Sequence, residues 1–132
     1  MSFRDHRVRL FEKKLKIMFD RIDLELEEGW GETYPLHPAR PASGTFGNPQ
    51  DEGLFSLGAS FSAGYGSDHG RGYVVEVRLA TLAQVPDNQV EQIREYVVTR
   101  IRELLPELFG DRSLEVVRDG DLFKIVGDLS IS

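Results

Sequence analysis

Two opposed apolar stripes on one N-terminal helix constrain the fold of this chain more than any other feature. At steps of about 100° per residue, residues 2–28 predict a single long helix with an apolar arc about 100° wide that faces the core. This core stripe consists of Val8, Phe11, Leu15, Met18, Phe19, Ile22 and Leu26. A second stripe repeats every seven residues on nearly the opposite side and consists of Phe3, Leu10, Ile17 and Leu24. The core stripe packs the helix against the core of its own domain. We therefore expect the second stripe to be covered as well.

The charges of this helix are divided along its length. Residues 1–17 carry six basic and two acidic side chains, whereas residues 18–28 carry one basic and five acidic side chains. Both halves oppose the helix dipole, which favours acids near the N-terminus and bases near the C-terminus. An antiparallel copy would lay each basic half beside an acidic half, with Leu10, Ile17 and Leu24 between the helices. We therefore expect a homodimer through this helix; the alternative is that the chain's own long loop covers these three residues.

The remaining chain predicts a single domain over residues 1–132 with the element order α-β-β-α-β-β. After the helix come an irregular loop at 29–53, a hairpin at 54–82, a helix at 88–105 with a turn to residue 110, and a hairpin at 113–127. This order favours an α+β fold, in which a four-stranded, mainly antiparallel sheet carries both helices on one face.

Local signals predict both ends of the second helix. Asn88 followed by Glu91 matches a capping box at its beginning. Pro106 lacks the N–H group that a helix interior requires. The regular helix is therefore expected to end near Leu105.

The last hairpin contains a strong two-residue turn signal, Asp119-Gly120. The register that follows pairs Arg118 with Asp121, Val116 with Phe123, Glu115 with Lys124 and Leu114 with Ile125. Two of these pairs join opposite charges, which supports the predicted register.

The glycine-rich loop 66–72 is the first candidate for chemistry. The glycines let backbone N–H groups approach a ligand, and Ser67 lies among them. Arg71 can bind a carboxylate or phosphate through two parallel hydrogen bonds. Asp68 and His69 are the candidate catalytic groups, as proton acceptor and donor. The loop leads into another strand rather than a helix, and its glycine spacing matches no phosphate-binding motif. A structural turn is therefore favoured over a ligand-contacting loop.

The proline-rich segment 34–41 is the second candidate, because its prolines hold His37 and Arg40 in an extended, stiff chain. If it folded over the small Ser/Gly face of the first strand, these two side chains could converge with His69 and Arg71 on a small anionic molecule. That arrangement defines the alternative function, a small enzyme with a site between the two loops. Two histidines and an aspartate could also bind a metal, but no paired ligand spacing is present, so no metal and no cofactor are predicted.

Composition excludes several classes of function. The 132 residues have a formal net charge of −6 and no cysteine, which excludes disulfides and thiolate chemistry. The apolar runs are too short to span a membrane. The acidic balance makes nucleic-acid binding an unfavourable interpretation. We expect a cytoplasmic binding or interaction module whose partner is a second copy or another protein.

Overall fold

The computed structural model describes residues 3–67 and 69–129, and these form an α+β fold. Over these residues the order is α1 (Phe3–Trp30), β1 (Phe55–Ser62), β2 (Gly72–Leu79), α2 (Asp87–Leu108), β3 (Leu114–Asp119) and β4 (Leu122–Gly127), with a 3-10 turn at Pro49–Asp51. The four strands form one antiparallel sheet in the order β1-β2-β4-β3. The predicted fold class is confirmed.

One face of the sheet packs against both helices. The buried apolar side chains of α1 are Phe11, Leu15, Met18, Phe19, Ile22 and Leu26. Those of α2 are Ile93, Val97, Val98, Ile101, Leu104 and Leu105. The sheet contributes Phe55, Leu57, Tyr73, Val116 and Ile125. Each helix presents residues three or four apart and each strand presents every second residue, as the periods of the two structures require. The core stripe predicted for α1 is confirmed except at Val8, which is half-buried.

The second helix begins without the predicted capping box. Its N-cap is Pro86, and no side chain makes a capping hydrogen bond there. The main-chain N–H groups of Gln89 and Val90 instead donate to the Pro86 carbonyl, at 3.0 and 3.1 Å. Helix formation therefore starts one residue before Asn88, so the Asn88 side chain has no role as the cap.

The second helix also continues past Pro106, contrary to the prediction that it ends near Leu105. Pro106 is exposed, so water can solvate the carbonyl that loses its hydrogen bond there. Phe109 is 1% exposed, and its N–H group donates to the Leu105 carbonyl at 2.8 Å. The burial of Leu105 and Phe109 thus fixes the last turn on both sides of the proline.

The last hairpin differs from its predicted register by two residues. Asp119 pairs with Leu122, so the turn is Gly120-Asp121 rather than Asp119-Gly120. Gly120 has a φ of 65°, and no described non-glycine residue has a positive φ. A positive φ at the first turn position is typical of a type II′ turn, whereas the predicted turn would need one at Asp119. Neither predicted charge pair forms: Lys124 binds Asp119 at 2.8 Å, and Arg118 lies opposite Phe123 rather than Asp121.

Candidate functional site

The second apolar stripe of α1 lies on the solvent side of the helix. Leu10, Ile17 and Leu24 are 48%, 50% and 54% exposed. We call these three residues the α1 seam; the side chain of Phe3 lies outside the described part of the chain. Since about half of each seam residue is open to solvent, the interpretation that the long loop covers them is wrong.

Some of the charges on α1 are used inside the molecule. Asp23 is completely buried, and Glu27 accepts the N–H of Phe55 at 2.9 Å. Glu25 accepts two hydrogen bonds from Arg100 of α2, at 2.8 and 2.9 Å, which lower the pKa of its carboxyl. The charge division at the surface is therefore smaller than the sequence suggests.

The exposed charges beside the seam keep the predicted signs. Lys13 and Lys14 lie on the N-terminal side of Ile17 and are exposed. Asp20 and Glu28 lie on its C-terminal side; Glu28 is exposed, whereas Asp20 is half-buried and bound by Lys16 at 2.6 Å. Arg21 interrupts this pattern, but its guanidinium lies 3.4 Å from Glu107 of α2. The seam thus has a basic and an acidic end.

The proline-rich segment is anchored beside the end of β2. The His37 N–H donates to the carbonyl of Ala80 at 2.8 Å. Arg40 donates to four main-chain carbonyls of the loop and β1, those of Gln50, Glu52, Gly53 and Phe55, at 2.9 to 3.1 Å. Its guanidinium stabilises the loop rather than facing an open site.

A buried carboxylate anchors the other part of the long loop. Glu52 is 3% exposed and accepts the N–H groups of Gly44 and Phe46 at 2.9 and 2.6 Å. Hydrogen bonds from main-chain donors to a carboxylate are among the stronger ones in proteins. Together with Arg40, Glu52 holds the irregular loop between α1 and β1 in place.

The glycine-rich loop lies at the opposite end of the β1–β2 hairpin from the proline-rich segment. Phe55 pairs with Leu79 at one end of the hairpin and Ser62 with Gly72 at the other. An eight-residue strand spans about 24 Å, so His37 and Arg40 do not converge with the exposed residues His69 and Arg71. The combined site predicted for the two loops does not form within one chain. No group of three metal-binding side chains occurs among the described residues, and Asp68 lies outside them.

A buried lysine holds the glycine-rich loop in place. Lys124 is 3% exposed, and its ammonium donates to Ser67 Oγ, the Gly70 carbonyl and Asp119 Oδ2, at 3.2, 2.9 and 2.8 Å. The hydrogen bond from Lys124 lowers the pKa of Asp119. Because all three ammonium protons are used, Lys124 cannot act as a base toward Ser67. These contacts give Ser67 a structural role and support the interpretation of the loop as a turn.

Asp23 is an unusual group that the sequence did not single out. It is 0% exposed, and neither carboxyl oxygen has a hydrogen-bond partner among the described residues. Burial, with the nearby charge of Glu27 as a second cause, raises the pKa of Asp23 to about 8. At neutral pH the carboxyl is therefore mostly protonated. The helical period places Asp23 at the border of the core stripe, but it does not predict that the side chain is buried.

Comparison with known proteins identifies the class to which this chain belongs. A family model with the description "Uncharacterised protein" matches residues 6–127, and the chain belongs to this family. A relative described as "Uncharacterized protein" from Borreliella burgdorferi (strain ATCC 35210 / DSM 4680 / CIP 102532 / B31) is 38% identical over 106 residues, covering 80% of this chain and 83% of the relative. No solved structure gives a significant match. Within the described residues, neither helix combines the length and apolar character needed to cross a bilayer.

Proposed function

We propose that this protein is an interaction module that forms a homodimer through α1. The observation that carries the proposal is the half-exposed seam of Leu10, Ile17 and Leu24 on the side of α1 that faces away from the core. Apolar side chains at regular spacing on a solvent-facing helix are typical of an interface. A cytoplasmic location stays a prediction from the composition.

The surface charges favour an antiparallel arrangement of two α1 helices. With the two-fold axis at Ile17, Leu10 of one copy lies opposite Leu24 of the other. In the same arrangement the basic half of each α1 lies beside the acidic half of the other. Such an interface is self-complementary, as a two-fold contact must be.

The size of the seam predicts a dimer of moderate stability. Leu10 and Leu24 are separated by about 21 Å along the helix, at about 1.5 Å per residue. This is a narrow contact compared with stable interfaces, which bury about 800 Å² on each partner. We therefore expect dissociation at micromolar concentrations, a regime in which monomer and dimer can both be observed.

A charge placed at the centre of the seam tests the proposal. In the variant Ile17→Glu, two carboxylates would face each other across the axis, and the dimer should dissociate while the monomer stays folded. Sedimentation equilibrium would measure the mass, and circular dichroism the fold. Leu82→Glu is the matched control, since Leu82 is 75% exposed and lies outside the seam. A wild-type protein that stays monomeric up to about 1 mM would contradict the proposal, because a dissociation constant of 1 mM corresponds to a binding free energy of only about −4 kcal/mol.

The alternative function, a small enzyme acting on an anionic molecule, loses its structural basis. It required the proline-rich segment and the glycine-rich loop to share one concave site. The β1–β2 hairpin separates them, and Arg40 and Ser67 are both used in holding their own loops.

A further inference from the structure

A slot opens between β2 and the tip of the β3–β4 hairpin. β4 pairs with β2 only from Tyr73 to Val75, although β2 continues to Leu79. The resulting slot has a volume of about 470 Å³, which lies within the range of ligand sites. Its apolar lining comes from both strands and α2 and comprises Val75, Val77, Val90, Val97, Val98 and Phe123.

The main-chain groups of Val77 point toward this slot. The N–H of Ala80 donates to the Leu54 carbonyl at 2.7 Å, so this pair bridges β2 and the chain leading into β1. Main-chain groups alternate sides along a strand, so those of Arg78 also face β1, whereas those of Val77 and Leu79 face the other way. β4 does not pair with this part of β2, which leaves a strand edge where an added strand could bind.

A positive charge lies where the slot meets the hairpin tip. Arg94 of α2 lines the slot and donates to the Asp121 carbonyl at 2.9 Å. Its guanidinium also lies over the ring of Phe123, 5.7 Å from the centroid. Arg94 also lies 3.5 Å from the carboxylate of Glu91, which is half open to water. Glu76, which also lines the slot, lies 3.5 Å from Arg78. The shortest contact of the Arg94 guanidinium is thus with a neutral carbonyl, and its charge complements an anion entering the slot.

The direction of the added strand determines which anionic group would reach Arg94. A strand antiparallel to β2 runs in the same direction as β4, so its C-terminal end approaches the hairpin turn. The turn at Gly120-Asp121 blocks further extension, and Arg94 lies at that end. A chain that ends there would place its terminal carboxylate beside the guanidinium.

We propose that this slot binds the extended C-terminal segment of a partner protein. The segment pairs with the main chain of Val77, buries alternate apolar side chains against Val97 and Val98, and places its carboxylate at Arg94. This recognition is independent of the α1 dimer, because β2, β4 and α2 form the slot.

The test uses a short peptide, acetyl-Thr-Val-Thr-Val, with a free C-terminal carboxylate. NMR titration of the full-length, isotopically labelled protein should show saturable shifts of the Val77 and Leu79 amides. The same peptide with a C-terminal amide should bind about tenfold more weakly, since it lacks the charged hydrogen bond to Arg94. Arg94→Gln should abolish the preference for the free acid.

Two controls make the result decisive. Arg102→Gln removes the same charge from an exposed position of the same helix and should keep the preference. The amide spectrum of each variant shows whether it is folded. The proposal is overturned if about 5 mM peptide causes no saturable shift of the Val77 amide. It is also overturned if the acid and amide forms bind equally to the wild-type protein.

Discussion

The two apolar stripes of α1 have similar side chains but opposite surroundings. Ile22 of the core stripe is 0% exposed, whereas Ile17 of the seam is 50% exposed, although they are five residues apart on one helix. The core stripe contacts the sheet and α2, and its burial stabilises the fold. The seam contributes little to the folded monomer. An apolar row that the fold does not use is therefore available for association.

The largest expected effect is on stability, and it compares the two isoleucines directly. Ile22→Ala should destabilise the protein by about 2–5 kcal/mol, because it removes buried methyl groups and leaves a cavity. Ile17→Ala should change the stability of the monomer by less than about 0.5 kcal/mol, because its side chain is already hydrated. Urea unfolding at concentrations below the dimer dissociation constant measures both. Equal losses in the two variants would contradict the distinction between core stripe and seam.

Asp23 is a polar group on the buried side of the helix. Its pKa is about 8 in the folded protein, whereas the ordinary value is 3.8. At a pH between these two values the folded state therefore holds a proton that the unfolded state lacks. Stability should therefore fall as the pH rises from 4 toward 8, by up to about 1.4 kcal/mol per pH unit from this group. In Asp23→Asn this part of the pH dependence should disappear.

Unfolding by urea at several pH values checks the prediction for Asp23. Glu28→Gln is a suitable control, because Glu28 is exposed on the same helix. If Asp23→Asn shows the same slope as the wild-type protein between pH 5 and 8, the carboxyl is not protonated in the folded state.

A smaller effect is expected from salt, which acts on the seam and not on the core stripe. Raising the ionic strength from about 0.01 to 1 M shortens the Debye length from about 30 to about 3 Å, which screens exposed charges. The dimer dissociation constant should rise severalfold if basic and acidic ends meet. Analytical ultracentrifugation over this range measures it. A dimer that tightens with salt would show that the charges play no attractive part.

The parts of the fold that depend on periodicity were predictable. The core stripe of α1 and the alternation of β1 follow from the helical and strand periods, which act within a few residues. The predicted hairpin register was wrong because two adjacent turns are chemically similar, and Gly120 is central to both. In the observed register Lys124 binds Ser67, Gly70 and Asp119 together, a contact between distant parts of the chain that no local turn signal indicates.

The candidate sites show where sequence reasoning fails and where it could have gone further. The four carbonyls bound by Arg40 come from residues 10 to 15 positions away, and no local pattern indicates such contacts. The separation of the two loops could have been predicted. One loop precedes β1 and the other follows it, and a strand of that length already places them about 24 Å apart.

The orientation of the two α1 helices can be tested directly by disulfide formation, since the chain contains no cysteine of its own. Ile17→Cys should form a disulfide between two copies at the axis. Leu10→Cys and Leu24→Cys should each fail to do so alone, because identical residues lie about 21 Å apart along antiparallel helices, and should form disulfides when mixed. Leu82→Cys serves as the control for random collision. We expect this pattern under mild oxidation. Disulfides no more frequent than in Leu82→Cys, or efficient disulfides in Leu10→Cys alone, would contradict an antiparallel α1 dimer.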